Sequence, residues 1–280
     1  VRVALAGRDA VGNLHIEGDE EDLRVTVPVV EEPEGTILLC VREPEVSGLC
    51  ARWGGREVVT FQNGVVSEAS AAEHCRVIGG VWRMTCTLQD PGHALFTRRG
   101  RVVVGRHPAG IAGGVETVAA ALRAARLDVG VSRDIQADKW LKLFVNLTSG
   151  ANAVIRKAHH PTPPFAAVKR ALLGEALEVF DRAGIVARSC DGRDPEAEAE
   201  LERQVRAPPR KRPVHNATWR LLSRGRRPCE RYHQTIVELG RRHGFFARRN
   251  EAMQRLLDEA PGPECYGAAE VLARLAAQRR

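Results

Sequence analysis

Residues 1–12 read VRVALAGRDAVG, an apolar run of β-prone residues that closes on Gly7 and Gly12 with the charged pair Arg8-Asp9 between them. A strand running into G-x-G-x-x-G opens a dinucleotide-binding unit, because the second glycine lets the backbone approach a pyrophosphate. Here the second glycine is Asp9, which brings a carboxylate to where a phosphate would lie. The same letters also suit a plain strand–turn–strand in which Gly7 and Gly12 serve only the turn. Residues 13–22, NLHIEGDEED, carry no apolar stripe at helical period. They predict a hairpin instead: Leu14–Glu17, an acidic turn over Gly18–Asp22, then Leu23–Val29. The crossover helix of a βαβ unit, and the strand behind it, are therefore expected to be missing.

Outward from this stretch, the apolar residues up to about 110 come in short β-rich runs, among them Thr36–Val41, Val58–Phe61, Val77–Thr87, Ala94–Thr97 and Val102–Val104. From 115 onward the period turns helical, as in Leu172, Leu173, Ala176, Val179 and Phe180. The spacing predicts helices over Val115–Leu127, Ala137–Ile155, Phe165–Ala183, Glu196–Arg206, Ala217–Arg224, Glu230–His243, Asn250–Glu259 and Ala268–Gln278, with a loop at 206–214. The expected architecture is α/β: an N-terminal domain over 1–110 and an all-helical domain over 111–280.

Hydrophobic residues make up 44% of the 280, enough for real cores. The net charge of +7 is concentrated in clusters such as 203–212 and 224–227. Aromatic residues are only 5% and do not accompany the arginines, which argues against a nucleic-acid partner. A basic surface that draws in an anionic small molecule fits better. The seven cysteines form no C-x-x-C pair, so neither a disulfide framework nor a metal site is expected. Without a leader-like or membrane-spanning run, a soluble cytoplasmic protein is the expectation.

The stretch 137–146, ADKWLKLFVN, holds the chemistry-bearing pattern. Lys142 and Asn146 lie one helical turn apart and share a face. A lysine beside buried positions can protonate a developing alkoxide, and an asparagine one turn on can hold a carbonyl or an amide. A solvated lysine and a capping asparagine satisfy the same spacing. Similarly, the 61–65 stretch FQNGV ends a β run in Asn63-Gly64. That pair is either a simple turn or a turn presenting Asn63 at the carboxyl end of a strand, where open α/β sheets bind ligands.

Together these stretches resemble the ketopantoate reductase (2-dehydropantoate 2-reductase) family. The likeness rests on QNGVV at 62–66, ADKWLKLFVN at 137–146, ERYHQTIVELGRRHG at 230–244 and the N-terminal VALAGRDAVG, in the family's order. The resemblance implies a Rossmann-like N-terminal domain, here short of about one βα unit or roughly thirty residues, and a helical domain for substrate and dimerisation. It implies NADPH-dependent reduction of a 2-keto acid, ketopantoate to pantoate on the way to pantothenate, in a cleft where Lys142 faces Asn63. It further implies Lys142 as the catalytic proton donor, Asn146 and Glu230 as substrate-binding residues, and Gly7, Gly12, Arg42 and Asn63 as cofactor-binding residues. Glu230 takes the family's substrate-binding glutamate role only with a register slip of two, since ungapped counting brings Pro228 there. Asn152, and Thr218 or Asn216, stand in looser register for a further asparagine and serine. A homodimer is compatible with the family. Asp9 and the missing βα unit support the alternative, a family member that binds a ligand without catalysis.

Overall fold

The structure, a computed structural model, describes residues 3–6, 16–17, 24–25, 35–90, 93–98, 100–204, 215–228 and 231–277. The chain divides into two compact units, Val1–Lys142 with Ser189–Gly192, and Leu143–Arg188 with Arg193–Arg280. The sequence reading put the join near 110; the first unit runs on to Lys142, inside a helix.

The first unit is built on a six-stranded sheet. Its strands in spatial order are β1 (Val3–Ala6), β4 (Thr36–Leu39), β5 (Glu57–Thr60), β6 (Arg76–Trp82), β9 (Arg101–Arg106) and β10 (Asp128–Val131). All neighbours are parallel except β6 and β9. β1 lies at the edge and pairs directly with β4, Val3 opposite Thr36. Between them the described residues form only the antiparallel pair β2 (Ile16–Glu17) and β3 (Arg24–Val25). This is the expected hairpin. Among the described residues the unit is therefore the anticipated Rossmann-like sheet, with β1 as its outermost strand. A second antiparallel pair, β7 (Thr85–Asp90) and β8 (His93–Arg98), stands apart from the main sheet.

Successive strand residues face opposite sides of a sheet, and both sides here are covered. Ile37, Leu39 and Val58 pack with Val46 and Cys50 of α1 (Glu43–Arg52), whereas Val59, Ile78 and Val104 pack with Val115 and Val118 of α3 (Val115–Ala124). α1 and the short α2 (Ser67–Ala72) fall where the sequence reading saw only strands. α1 buries only Val46 and Cys50, a stripe too narrow to register as a helical period. β10 lies in the half read as wholly helical; it is four residues, DVGV, directly after the predicted helix end at Leu127.

At the centre of the β6–β9 pair, Gly79 faces Gly105. A Cβ on Gly105 would lie 2.5 Å from the Ser132 carbonyl oxygen, and one on Gly79 would lie 3.0 Å from Ile135 and 3.4 Å from Glu68. The two glycines thus let the start of α4 (Ile135–Asn146) and the Glu68 side chain close on the sheet. Gly105→Ala is expected to destabilise the protein by about 1–3 kcal/mol, because a backbone atom must give way. Chemical denaturation of the variant against the parent measures this directly.

The second unit is helical: α5 (Thr148–Val154), α6 (Pro163–Ala183), α7 (Pro195–Gln204), α8 (Ala217–Ser223), α9 (Tyr232–Arg242), α10 (Arg248–Glu259) and α11 (Ala268–Ala276). Each matches a predicted helix to within a few residues, but the span 137–155 is two helices, with α4 ending at Asn146 and α5 starting at Thr148. α6 opens on Pro163 and stops at Gly184 in the left-handed region (φ 63°), where the amides of Gly184 and Ile185 close back on Asp181 and Phe180. Val154, Phe165, Val168, Leu172, Met253, Leu256, Val271 and Leu275 form its core. Glu175 of α6 accepts from the Arg249 amide at 3.0 Å and the Asn250 amide at 2.7 Å, capping the first turn of α10.

Candidate functional site

The carboxyl ends of parallel strands are where an open α/β sheet binds ligands, and β4 and β5 end side by side here. Gln62, two residues past β5, joins them: its amide nitrogen donates to the Leu39 carbonyl at 2.8 Å and the Val41 carbonyl at 3.0 Å. Asn63 follows and is exposed, and Gly64 has φ 91°, a value glycine adopts without steric cost. Arg42, exposed, stands at the N-terminus of α1 just beyond β4. An amide and a guanidinium thus occupy neighbouring strand ends, a donor set suited to a polar, anionic ligand.

α4 supplies the other side. Asp134 accepts from the Ala137 amide at 3.0 Å in its first turn. One residue pair then anchors the helix twice. Asp138 is fully buried and accepts from the Ser189 hydroxyl at 2.8 Å and the Cys190 amide at 3.2 Å, with the Arg83 guanidinium 3.6 Å away. Burial raises its carboxyl above the usual range, opposed by those hydrogen bonds and by Arg83. Lys139, 2% exposed, donates to the Gln62 carbonyl at 2.7 Å and meets the Glu68 carboxylate at 2.5 Å. Glu68 is itself held by the Thr60 hydroxyl at 2.6 Å. Nearby, Gln136 lies 2.5 Å from Nδ1 of His107, whose pKa is lowered chiefly by burial, offset in part by the Glu68 carboxylate and lowered further by Lys139.

Lys142 comes one turn after Lys139 on the same side of α4, and Asn146 one turn later at the helix end; both are half-buried. Lys139 touches the peptide that leads into Asn63, so the lysine side of α4 runs beside the end of β5. Of the other sequence-predicted residues, Gly7, Gly12 and Glu230 lie outside the described residues. Asn216 caps α8, accepting from the Trp219 amide at 2.8 Å, and donates to the Ser149 carbonyl at 2.8 Å. Thr218 is buried in α8, and Asn152 lies 3.5 Å from Thr148 within α5. Lys139, Glu68 and Asp138 escaped sequence reading, although Lys139 sits inside the very motif that singled out Lys142.

Among the described residues no cluster of His, Cys, Asp and Glu could hold a metal ion, and no helix is long and apolar enough to cross a membrane. Residues 13–109 match the family model "Ketopantoate reductase PanE/ApbA". A 2-dehydropantoate 2-reductase of Archaeoglobus fulgidus is 32% identical over 132 residues, which is 45% of this chain and 45% of that protein. The chain thus spans less than half the length of this curated relative. Among solved structures, 2-dehydropantoate 2-reductase from Methylococcus capsulatus aligns with a TM-score of 0.71 at 19% identity, over 91% of this chain and 87% of that one. The PanE/ApbA family ketopantoate reductase from Ralstonia eutropha aligns with a TM-score of 0.65 at 19% identity, over 100% and 86%. D-mandelate dehydrogenase, solved with NADH and anilino(oxo)acetate, aligns with a TM-score of 0.71 at 14% identity, over 99% and 92%. Residues 13–109 are thus similar to the ketopantoate reductase family model, and the chain has the fold of the solved ketopantoate reductases, a Rossmann-like sheet followed by helices.

Proposed function

We propose that this protein is a nicotinamide-dependent oxidoreductase acting on a 2-keto acid, with ketopantoate as substrate and NADPH as cofactor. The observation that carries the reading is the junction of α4 with the end of β5, where Lys139 grips the peptide before Asn63 and Lys142 follows one turn on. A nicotinamide held there would supply the hydride for the keto carbon. The chain's own residues do the rest. Asn63 orients the ring amide, Arg42 draws in the cofactor's phosphate, Lys142 delivers a proton to the keto oxygen, and Asn146 binds the substrate. Gly7 and Gly12 would border the pyrophosphate, and Glu230 the substrate. A soluble cytoplasmic homodimer is the working form; a dimeric ketopantoate reductase from Staphylococcus aureus is among the structural relatives.

Calorimetric titration with NADPH, with NADH as control, tests this first. Saturating NADPH at a hundred times its dissociation constant is expected to stabilise the protein by about 2.7 kcal/mol, seen as a rise in melting temperature, and ketopantoate should then be consumed. One observation favours a second reading, a ligand-binding relative without catalysis: between β1 and β4 the described residues form an antiparallel strand pair, β2 with β3. Nucleotide binding without turnover of any 2-keto acid would select that reading, and binding of neither nucleotide would sink both cofactor assignments.

A further inference from the structure

The proton-transfer chemistry has no use for Lys139, yet it is a buried ammonium in a buried ion pair. Removing two charges from water costs several kcal/mol per ion, and their attraction rarely returns more than that. Stability alone is therefore a weak reason for the Lys139–Glu68 pair. Its geometry offers a better one. The carbonyl that Lys139 holds belongs to Gln62, and that carbonyl shares its peptide plane with the Asn63 amide. Holding the oxygen sets the rotation of the plane from which Asn63 departs. The Gln62 side chain is pinned separately to the Leu39 and Val41 carbonyls. Gln62 is thus clamped by backbone and side chain at once, and Asn63 is the first residue beyond the clamp.

The clamp closes on itself. Thr60 at the end of β5 donates to Glu68 at the start of α2, Glu68 pairs with Lys139 on α4, and Lys139 returns to the loop between β5 and α2. The end of β5, the start of α2 and α4 are thus tied to one another on either side of the Asn63–Gly64 turn. The facing glycines Gly79 and Gly105 supply the room that brings Glu68 and α4 this close to the sheet.

We infer that Lys139, held in place by Glu68, is a positioning residue that fixes the orientation of Asn63 toward a bound nicotinamide; this rests on the reductase reading above. Two measurements on the full chain test it. Lys139→Met leaves Glu68 charged and buried, so the informative variant is Lys139→Met with Glu68→Leu, which keeps an apolar pair of similar volume. Amide exchange at Asn63 and Gly64 reports the order of the turn without any nucleotide. NADPH affinity is measured with the double change alone and combined with Asn63→Ala.

Exchange at these two amides is expected to speed up in the folded variant, and the NADPH dissociation constant to rise about tenfold, the equivalent of one lost hydrogen bond. In the Asn63→Ala background the same double change should add nothing further, since its effect runs through Asn63. Unchanged exchange at Asn63 and Gly64 in a folded variant would overturn the inference. So would an equal loss of affinity with and without Asn63. Faster exchange in a protein whose parent form binds no NADPH would uphold the clamp as what orders Asn63 and reject the reductase reading instead.

Discussion

Lys142→Ala is expected to lower kcat for 2-keto acid reduction by about 10²–10⁴-fold while leaving NADPH affinity near that of the parent. As hydride reaches the keto carbon, the oxygen gains charge and takes up a proton, and a positioned ammonium can supply it within the same event. The ammonium becomes a neutral amine and recovers its proton from solvent. Lys142 is half-buried on α4, beyond a turn anchored by Asp138 and Lys139, so its backbone is held on a fixed element rather than a loop. Lys142→Arg separates the roles of charge and proton. A guanidinium keeps the positive charge for a substrate carboxylate but does not part with its proton at neutral pH. It should therefore recover KM more than kcat. A small primary amine added to Lys142→Ala should restore part of the rate. An alanine variant with the parent's kcat would remove Lys142 from the chemistry.

The helical half of the chain was legible because its helices are amphipathic and bounded by strong signals, such as Pro163 at the start of α6 and Gly184 after it. The antiparallel pairing of Ile16–Glu17 with Arg24–Val25 was legible for the opposite reason: an acidic stretch without an apolar stripe is a poor crossover helix. α1 and α2 were hidden because a helix lying on one side of a parallel sheet needs few apolar residues, and α1 buries two. In the candidate site, spacing placed Lys142 and Asn146 on one helix face, and the family resemblance proposed their roles. Lys139 did not, since a lysine next to an aspartate on a helix normally reads as a solvated face. Only the fold brings Glu68 from α2 and the Gln62 carbonyl to it, and no local pattern encodes a pairing so distant in sequence. Asp138 escaped for the same reason: its partner Ser189 lies beyond α6.

Acidification from pH 7 to 5 is expected to cost the second unit about 2 kcal/mol through His233 alone, and about 3 kcal/mol by pH 4. His233 of α9 is 2% exposed, and burial lowers its pKa to about 4, partly offset by its hydrogen bond to Asn250. Nδ1 lies 2.8 Å from Asn250 Oδ1. The Asn250 amide nitrogen already donates to Glu175 and the Leu172 carbonyl, so Oδ1 accepts and Nδ1 carries the proton. The other ring nitrogen, Nε2, is buried without a hydrogen-bond partner, and the space before it is where a Cβ on Gly150 would come within 3.3 Å. A second proton would have to go there, in an apolar setting beside Met253 and Leu257. The unfolded chain takes up that proton near pH 6.5 and the folded chain only near 4. Stability is therefore full above about 6.5 and falls as the pH drops towards the folded value. His233→Asn keeps a donor on Cγ for Asn250 but has no proton to gain. Its unfolding free energy, followed by denaturant titration from pH 7 to 4, should be flatter than the parent's by those amounts. Parallel curves for the two proteins would mean that His233 charges in place and that the pocket around Nε2 is wet.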